Sequence, residues 1–198
     1  MFQFIESICC INRDLRNIEL HQDRFEKTRK EHFPEASFIR LLDAIQFPND
    51  LNDEKYKVRI VYGAEIESIE FIPYVIKEIK TIKLFAIDNE ITYFYKYTDR
   101  SFLDEYIKKT QCDDLVLVKD NFITDATYSN LIFFNGVEWH TPITCMLNGT
   151  MRQQLLKVGR IKEVNIKVND LCNYFSFKRI NAMMNFEEAQ DFDIQELI

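Results

Sequence analysis

The chain has 198 residues, of which 46% are hydrophobic, and its formal net charge is −7 at pH 7. This hydrophobic fraction is enough for a packed core, so the composition argues against a disordered chain. Nucleic-acid-binding proteins normally present a basic surface, and the acidic balance argues against that class. The sequence has no run of 18 apolar residues, which argues against a membrane-spanning helix.

The five cysteines and three histidines show no spacing typical of a metal site. The cysteines form no C-x-x-C pair, and the histidines form neither an H-x-H nor an H-x-x-x-H pair. An odd number of cysteines without paired spacing fits free thiols in a reducing compartment. The opening residues, MFQFIESICC, lack the positive charge that begins a secretory signal peptide. We therefore expect a cytoplasmic protein without a metal site.

Strands and helices alternate in the predictions for the first half of the chain. Apolar and β-branched residues predict a strand over 2–11 and favour a second short strand over 18–21. Apolar residues at helical spacing predict a helix over 21–33 that ends at Pro34. A second helix is predicted over 37–46. Alternating apolar and polar residues predict four strands, at 57–62, 65–73, 81–87 and 91–95.

The second half is also mixed. Asp99 is a suitable N-cap for a helix over 100–110, and Asn148-Gly149 precedes a helix over 150–158. Strands are predicted at 115–119, 122–125, 131–134, 164–168 and 175–182, with a hairpin turn at Asn135-Gly136, a short helix at 169–173 and a helical or loose acidic tail after residue 185. The mixture indicates an α+β fold, and the best boundary between two lobes lies near residue 86.

Two residues, Lys96 and Asp125, are candidates for carbonyl chemistry. Lys96 lies at a predicted strand end between two tyrosines, where removal from water makes an amine a better nucleophile toward an aldehyde. An ordinary surface lysine is the alternative. Asp125 ends a predicted strand, where a buried carboxylate would keep a pyridine nitrogen protonated. An Asx turn is the alternative.

Two further patterns suit a phosphate group. Asn148-Gly149 before a helix places backbone N–H groups and the Thr150 hydroxyl at a helix N-terminus, which attracts anions. His21 and Arg24 share one face of a predicted helix, from which Arg24 would reach a phosphate as a fixed cation. The alternatives are a simple helix cap and a solvated arginine on an amphipathic helix.

The order of these patterns resembles the fold-type IV pyridoxal-phosphate enzymes, which include class IV aminotransferases and aminodeoxychorismate lyases. In that family an F-E-T-like strand and an H-x-x-R helix precede the Schiff-base lysine, a T-E and S-N strand pair, a T-P and a G-I-T-R-like helix start. The matching blocks here are Ile5-Glu6-Ser7, His21 to Arg24, Lys96 to Arg100, Thr124-Asp125 with Ser129-Asn130, Thr141-Pro142 and Gly149 to Arg152. The resemblance covers nearly the whole chain, and its specific part is 96–152.

The resemblance implies a pyridoxal 5′-phosphate (PLP) cofactor. Lys96 matches the Schiff-base lysine, which also shuttles a proton. Asp125 matches the glutamate that pairs with the pyridine nitrogen, and Arg100 matches a residue on the O3′ side of the cofactor. The residues that match phosphate ligands are Arg24, Thr150, Met151, Ala182 and Met183. Ala182 lacks the hydroxyl that the family often has at its position.

The resemblance also implies a two-lobed α+β fold like that of D-amino-acid aminotransferase, with the PLP site between the lobes. The predicted lobes are 1–86 and 87–198, the larger one carrying Lys96. The implied assembly is a homodimer that takes a small-molecule amino substrate and binds neither nucleic acid nor membrane. Measured against the family pattern, we expect this sequence to begin after the N-terminal hairpin that helps to form the wall of the substrate pocket in the family.

The K-Y-T-D-R block favours one branch of this family. It is closer to the K-x-x-N-R of aminodeoxychorismate lyases than to the longer lysine-to-tyrosine spacing of branched-chain aminotransferases. We therefore expect a lyase of folate biosynthesis that releases pyruvate from 4-amino-4-deoxychorismate and forms 4-aminobenzoate. The alternatives are an aminotransferase acting on D- or branched-chain amino acids, and a degenerate PLP-binding protein without catalysis.

Overall fold

The computed structural model describes residues 3–88, 90–91 and 93–197. The chain divides into two compact units. The first comprises Met1–Ile76 and Tyr95–Asp99, and the second comprises Lys77–Phe94 and Arg100–Ile198. Lys96 thus groups with the first unit, and the lobe boundary near residue 86 stays a prediction.

The first unit consists of an antiparallel sheet, one long helix and a single helical turn. Its elements are β1 (Phe4–Ile11), β2 (Asp14–Leu15), α1 (Ile18–His32), α2 (Leu41–Ala44), β3 (Tyr56–Tyr62) and β4 (Ile66–Pro73). The strand order is β2-β1-β3-β4. Apolar residues of β1, α1 and β3 form the core of this unit, among them Phe4, Ile8, Phe25, Val58 and Ile60.

Two predictions for this unit are wrong. The expected strand over 18–21 is the first turn of α1, because Asn17 adopts a left-handed conformation (φ 55°) and its carbonyl accepts from the His21 N–H. The expected helix over 37–46 is reduced to α2. The reason is tertiary, since side chains of α1 bind the carbonyls of Ser37 and Ile39 and the helix starts only after Arg40, which has extended dihedrals.

The second unit contains two sheets and two helices. Its elements are β5 (Ile82–Ala86), α3 (Ser101–Thr110), β6 (Asp114–Lys119), β7 (Phe122–Ala126), β8 (Asn130–Phe134), β9 (Trp139–Pro142), α4 (Thr150–Lys157), β10 (Ile161–Val164), β11 (Ser176–Ile180) and β12 (Asp191–Asp193), with short 3₁₀ helices at Val168–Asn173 and Ile194–Glu196. One sheet has the order β5-β6-β7 and the other β10-β9-β8-β11-β12. A cluster that includes Val116, Leu131, Phe133 and Phe177 forms the main core.

Most predictions for this unit are confirmed, including α3, α4 and strands β6, β7, β8 and β11. The strand expected at 164–168 lies earlier, as β10, because it pairs in parallel with the unpredicted β9. The N-cap of α3 is Arg100 rather than Asp99. The described residues of the predicted strand 91–95 form no strand, and residue 92, like residue 2 of the first predicted strand, lies outside the described ranges.

The mixed α+β class predicted from the sequence is therefore confirmed. The acidic tail is ordered more than expected, since β12 pairs with β11 and a 3₁₀ helix follows it. In the described part of the chain, none of the helices combines the length and the apolar composition that a membrane span requires.

Arg29 is a buried cation that ties α1 to two loops of the first unit. Its side chain is 1% exposed. The guanidinium donates to the carbonyl oxygens of Ala64 and Ser37, both at 2.6 Å, and forms an ion pair with Glu26 at 2.9 Å. Its central carbon lies 5.0 Å from the ring centroid of Phe25. One side chain therefore satisfies polar groups from three parts of the chain.

We expect Arg29→Leu to lower the free energy of unfolding by about 2–4 kcal/mol, because two carbonyls and a carboxylate lose a charged donor. Urea denaturation measures this change. The matched control is Arg40→Leu, since the Arg40 side chain is 56% exposed and forms an exposed ion pair with Asp43. The control should change stability by no more than about 0.5 kcal/mol. Equal losses in both variants would contradict the role of Arg29.

Candidate functional site

Lys96 lies on a short segment that pairs with the start of β1. The Ile5 N–H donates to the Lys96 carbonyl at 2.9 Å, and the Thr98 N–H donates to the Gln3 carbonyl at 3.0 Å. Tyr97 completes the pairing through an antiparallel bridge with a residue of β1. β1 therefore fixes the backbone on both sides of Lys96, and the residue itself is half-buried.

A buried carboxylate on the same strand binds two residues of α1. Glu6 is fully buried, and its Oε2 lies 2.6 Å from Nδ1 of His21. The Arg24 guanidinium donates to both carboxylate oxygens, through Nε at 2.8 Å and a terminal nitrogen at 2.6 Å. This two-bond geometry is the strong form of an arginine–carboxylate pair. It fixes Arg24 in place.

The neighbours of Glu6 and His21 determine the charge state of each. Burial by itself raises the pKa of Glu6, but Arg24, followed by His21, lowers it well below its usual range. Burial also lowers the pKa of His21, and the charges of Arg24 and Lys96 lower it further against the effect of Glu6. The cluster therefore holds an ionised Glu6 and a neutral His21 at pH 7, with Lys96 close enough for its charge to act on the imidazole.

Asp125 lies near the end of β7, and its carboxylate is held from both sides. Its exposed fraction is 5%. Oδ1 accepts from the Asn130 amide at 2.7 Å, and Oδ2 accepts from the N–H groups of Met146 and Leu147 at 2.8 and 3.1 Å. Burial raises the pKa of Asp125 to about 6, although these hydrogen bonds favour the ionised form. The carboxylate is thus a buried negative charge at pH 7.

The side chain of Asn130 joins Asp125 to the loop before α4. Its amide nitrogen also donates to the Leu147 carbonyl at 2.7 Å, and its Oδ1 accepts from the Gly149 N–H at 3.1 Å. A Cβ atom at residue 149 would lie 2.2 Å from this Oδ1. Glycine is required there by space rather than by its dihedral angles, because φ is −68°.

The first turn of α4 begins directly after Gly149. Thr150 and Met151 are its first two residues, and both are buried. The first N–H groups of an α-helix have no intrahelical acceptor, and here the Gln153 N–H is the first that bonds back to the Gly149 carbonyl. The predicted anion site therefore lies beside the group formed by Asp125 and Asn130, within the second unit.

Arg152 holds the T-P block against the start of α4, a role that the sequence did not indicate. Its guanidinium is buried and donates to Thr141 Oγ1, the Pro142 carbonyl, Asn148 Oδ1 and Glu163 Oε1, at 2.6 to 3.3 Å. Two of the sequence blocks, T-P and N-G-T-M-R, are thereby brought together. The only signal in the sequence is the arginine itself, inside a motif that resembles a phosphate-binding helix start.

The turn after β11 carries Ala182 and Met183. Asn181 fixes it, because its Oδ1 accepts from the Met183 N–H at 2.9 Å and its Nδ2 donates to Ser129 Oγ at 3.1 Å. This turn is therefore tied to the T-D-A-T-Y-S-N block that contains Asp125. Sequence reasoning missed Asn181, since an asparagine in a turn is common and only the fold places it beside Ser129.

Arg100 precedes α3 and contacts the same block. Its central carbon lies 4.8 Å from the ring centroid of Tyr128, and the Tyr128 hydroxyl donates to the Asp104 carboxylate. The predicted site residues thus form two groups. Lys96 and Arg24 belong to the first unit, and Arg100, Asp125, Thr150, Met151, Ala182 and Met183 belong to the second. Their roles toward a cofactor stay predictions.

We expect Gly149→Ala to lower the free energy of unfolding by about 2–4 kcal/mol, because the added methyl group displaces the Asn130 amide and breaks its contacts. Gly63→Ala is the matched control, since a Cβ there would lie 3.6 Å from its nearest neighbours. The control should cost less than about 1 kcal/mol. Urea denaturation of both variants compares them, and a Gly149→Ala protein as stable as its control would contradict the close approach.

Comparison with other sequences identifies the family to which this chain is similar. The amino-transferase class IV family model matches residues 95–186, which include Lys96 and Asp125. An uncharacterized protein of Haemophilus influenzae is 35% identical to this chain over 186 residues, which is 92% of this chain and 98% of that protein. The likeness therefore extends over almost the whole length of both proteins.

Solved structures share the fold. A protein from Haemophilus somnus 129PT, provisionally named a 4-amino-4-deoxychorismate lyase, is 28% identical with a TM-score of 0.83, covering 94% of this chain and 98% of that chain. A provisionally named amino-acid aminotransferase from Mesorhizobium loti is 18% identical with a TM-score of 0.77, covering both chains fully. A hypothetical aminotransferase from Mycobacterium tuberculosis, with α-ketoglutarate and PMP bound, is 14% identical with a TM-score of 0.79, covering 96% of this chain and 79% of that chain. The predicted fold-type IV architecture is confirmed, and the chain belongs to the class IV aminotransferase family.

Proposed function

We propose that this chain is a PLP-dependent enzyme with Lys96 as its Schiff-base lysine. The observation that carries the proposal is the buried carboxylate of Asp125. Among the residues that the structure describes, only neutral donors bind it and no cation forms an ion pair with it. A buried charge without a counter-ion is costly. The charge of Arg152 lowers the pKa of Asp125 without forming an ion pair with it, and a protonated pyridine ring would supply a direct counter-ion.

The residues fit this cofactor. A carboxylate has about four lone-pair sites, and three protein donors bind the Asp125 carboxylate. The start of α4 presents backbone N–H groups that suit a phosphate, and Gly149 leaves no Cβ atom there. Arg24, oriented by its ion pair with Glu6, is the proposed arginine ligand of the phosphate. The proposed cofactor residues are Arg24, Lys96, Arg100, Asp125, Thr150, Met151, Ala182 and Met183.

When bound, PLP supplies an electron sink for charge that develops on the substrate. The protein supplies three functions. Asp125 holds the proton on the pyridine nitrogen. Lys96 would hold the cofactor covalently and would accept a proton from the substrate as a general base. Neutral His21 adds no positive charge to this cluster.

We further propose that the reaction is the conversion of 4-amino-4-deoxychorismate to pyruvate and 4-aminobenzoate. The K-Y-T-D-R block supports it, and so does the provisional name of the similar Haemophilus somnus protein. An aminotransferase is the second candidate, supported by the family and by the α-ketoglutarate complex of the Mycobacterium tuberculosis protein. Activity assays separate the two candidates. Release of pyruvate from aminodeoxychorismate would identify the lyase, and amino transfer from D- or L-amino acids to α-ketoglutarate would identify the aminotransferase. A cytoplasmic homodimer is part of the same proposal.

We expect the purified protein with PLP to show a visible absorption band that borohydride bleaches, with the pyridoxyl adduct on Lys96. Lys96→Ala should lose the adduct and all turnover, because no other group forms the Schiff base. Lys30→Ala, at an exposed position of α1, is the control and should behave as the wild type. An adduct on a different lysine, or substantial turnover by Lys96→Ala, would contradict the assignment.

We expect Asp125→Asn to lower turnover by about 100-fold or more while PLP still binds, because the ring nitrogen loses the charge that keeps it protonated. Steady-state kinetics and the absorption band measure the two effects separately. Asp191→Asn, at an exposed position of β12, is the matched control. Asp125→Glu restores the residue that the family usually has and should retain more activity than Asp125→Asn. Equal activity of Asp125→Asn and its control would contradict the role of the carboxylate.

A further inference from the structure

The residues between Asp125 and Asn130 connect the two sheets of the second unit. Asp125 lies near the end of β7, in the sheet β5-β6-β7, and Asn130 begins β8, in the sheet β10-β9-β8-β11-β12. We call residues 127–129 the crossing segment. Because Asp125 accepts from the Asn130 amide at 2.7 Å, the path of the crossing segment determines whether these two side chains meet.

Asp114, the first residue of β6, binds the crossing segment. It is buried, with an exposed fraction of 3%. Its Oδ1 accepts from the backbone N–H of Thr127 at 3.1 Å and from that of Leu115 at 2.8 Å. Its Oδ2 accepts from the guanidinium of Arg179. Arg179 therefore holds one oxygen of this carboxylate while the other oxygen binds the crossing segment.

Arg179 belongs to β11, the strand that pairs with β8. It is buried, like its partner Asp114. Asn181, two residues further along the chain, binds the same crossing segment by donating to Ser129 Oγ at 3.1 Å. The end of β11 is thus joined to the crossing segment twice, through Arg179 with Asp114 and through Asn181.

The ion pair of Arg179 and Asp114 is incompletely bonded. A buried ion pair offsets the cost of its desolvation only when the remaining polar groups are also bound. The buried Nε of Arg179 has no acceptor among the residues that the structure describes, and the central carbon of the guanidinium lies 5.9 Å from the ring centroid of Phe192. An unmade hydrogen bond in the interior reduces the contribution of this pair to stability. Its geometric effect remains, since it joins β11 to the crossing segment.

We propose that Arg179, acting through Asp114, is a positioning residue for the Asp125 carboxylate. It holds the crossing segment where Asn130 binds one oxygen of Asp125 and the loop before α4 binds the other. This role requires no contact of Arg179 with cofactor or substrate. The consequence for turnover rests on the proposed PLP-dependent function, whereas the consequence for the local structure does not.

Amide hydrogen exchange of the whole chain tests the local structure without any turnover. The probes are the N–H groups of Met146 and Leu147, which donate to Asp125. The reference is the N–H group of Ile123, a buried residue of the same unit that donates to the Ile166 carbonyl at 2.8 Å. In Arg179→Met, exchange at the probes should accelerate about 10-fold or more relative to the reference.

Two further variants separate orientation from general damage. Arg179→Lys keeps a charged donor for Asp114 and should exchange within about 3-fold of the wild type, because the contact between the two side chains is not a two-bond fork. Lys178→Met is the matched control. Lys178 is the neighbouring cation of β11, its side chain is 12% exposed, and it donates to the Ala189 carbonyl instead. It should leave exchange at the probes within about 2-fold of the wild type.

In the holoenzyme, Arg179→Met should lower kcat about 10-fold while KM and the PLP dissociation constant stay within about 3-fold of the wild type. The reason is that Asp125 is used in the chemical step after both molecules have bound. Arg179→Lys should restore most of kcat. Steady-state kinetics measure these values in whichever of the two assays, pyruvate release or amino transfer, the wild type is active.

Several outcomes would overturn the inference. They are exchange at the probes that follows the reference in Arg179→Met, equal acceleration in Lys178→Met, or an Arg179→Lys protein that behaves like Arg179→Met. Unchanged kcat in a PLP-bound Arg179→Met protein would overturn it as well. If Arg179→Met does not fold, Arg179→Gln replaces it, with an expected local acceleration of about 3-fold or more. A wild type that binds no PLP would contradict the proposed function, and the exchange comparison would still decide whether Arg179 positions Asp125.

Discussion

In the second unit, the arrangement of Asp125 and the start of α4 depends on the side-chain amide of Asn130. It binds Asp125, the Leu147 carbonyl and the Gly149 N–H with one side chain. One side chain therefore connects the end of β7, the loop before α4 and the start of α4. The constraint is strict because the backbone at Gly149 approaches so closely that no side chain fits between them. The position of α4 and the orientation of the Asp125 carboxylate follow from it.

Glu6 in the first unit and Asp125 in the second are buried carboxylates, and the two differ in the groups that bind them. Glu6 binds the charged Arg24 directly, and its pKa lies well below the usual range. Asp125 is bound by amide groups, and burial raises its pKa to about 6. Hydrogen bonds orient a charge, but they offset the cost of burial less completely than an adjacent opposite charge does. Glu6 thus has its counter-ion within the protein, in Arg24, whereas Asp125 is bound by neutral donors.

The sequence predicted strands and helices best where the local pattern of apolar and polar residues determines the secondary structure. Apolar and β-branched content predicted β1, and the alternation of apolar and polar residues predicted β3, because each strand buries one or both faces in a core. The sequence predictions failed at 18–21, where a strand was expected, and at 37–46, where a full helix was expected. There, a left-handed residue at Asn17 and side chains that reach across from α1 determine the backbone. The short strands β9 and β12 were missed because their stability comes from their neighbours.

The sequence by itself determined the family, the mixed fold class, and the order of blocks that contain Lys96, Asp125 and the helix start at Gly149. These properties depend on residue type and spacing, which are local. The tertiary structure alone decided that Arg24 binds Glu6, that Asn130 holds Asp125, and that Arg100 stacks on Tyr128. Such contacts join residues distant in the chain, and the charge state of a buried group depends on the neighbours that folding places around it.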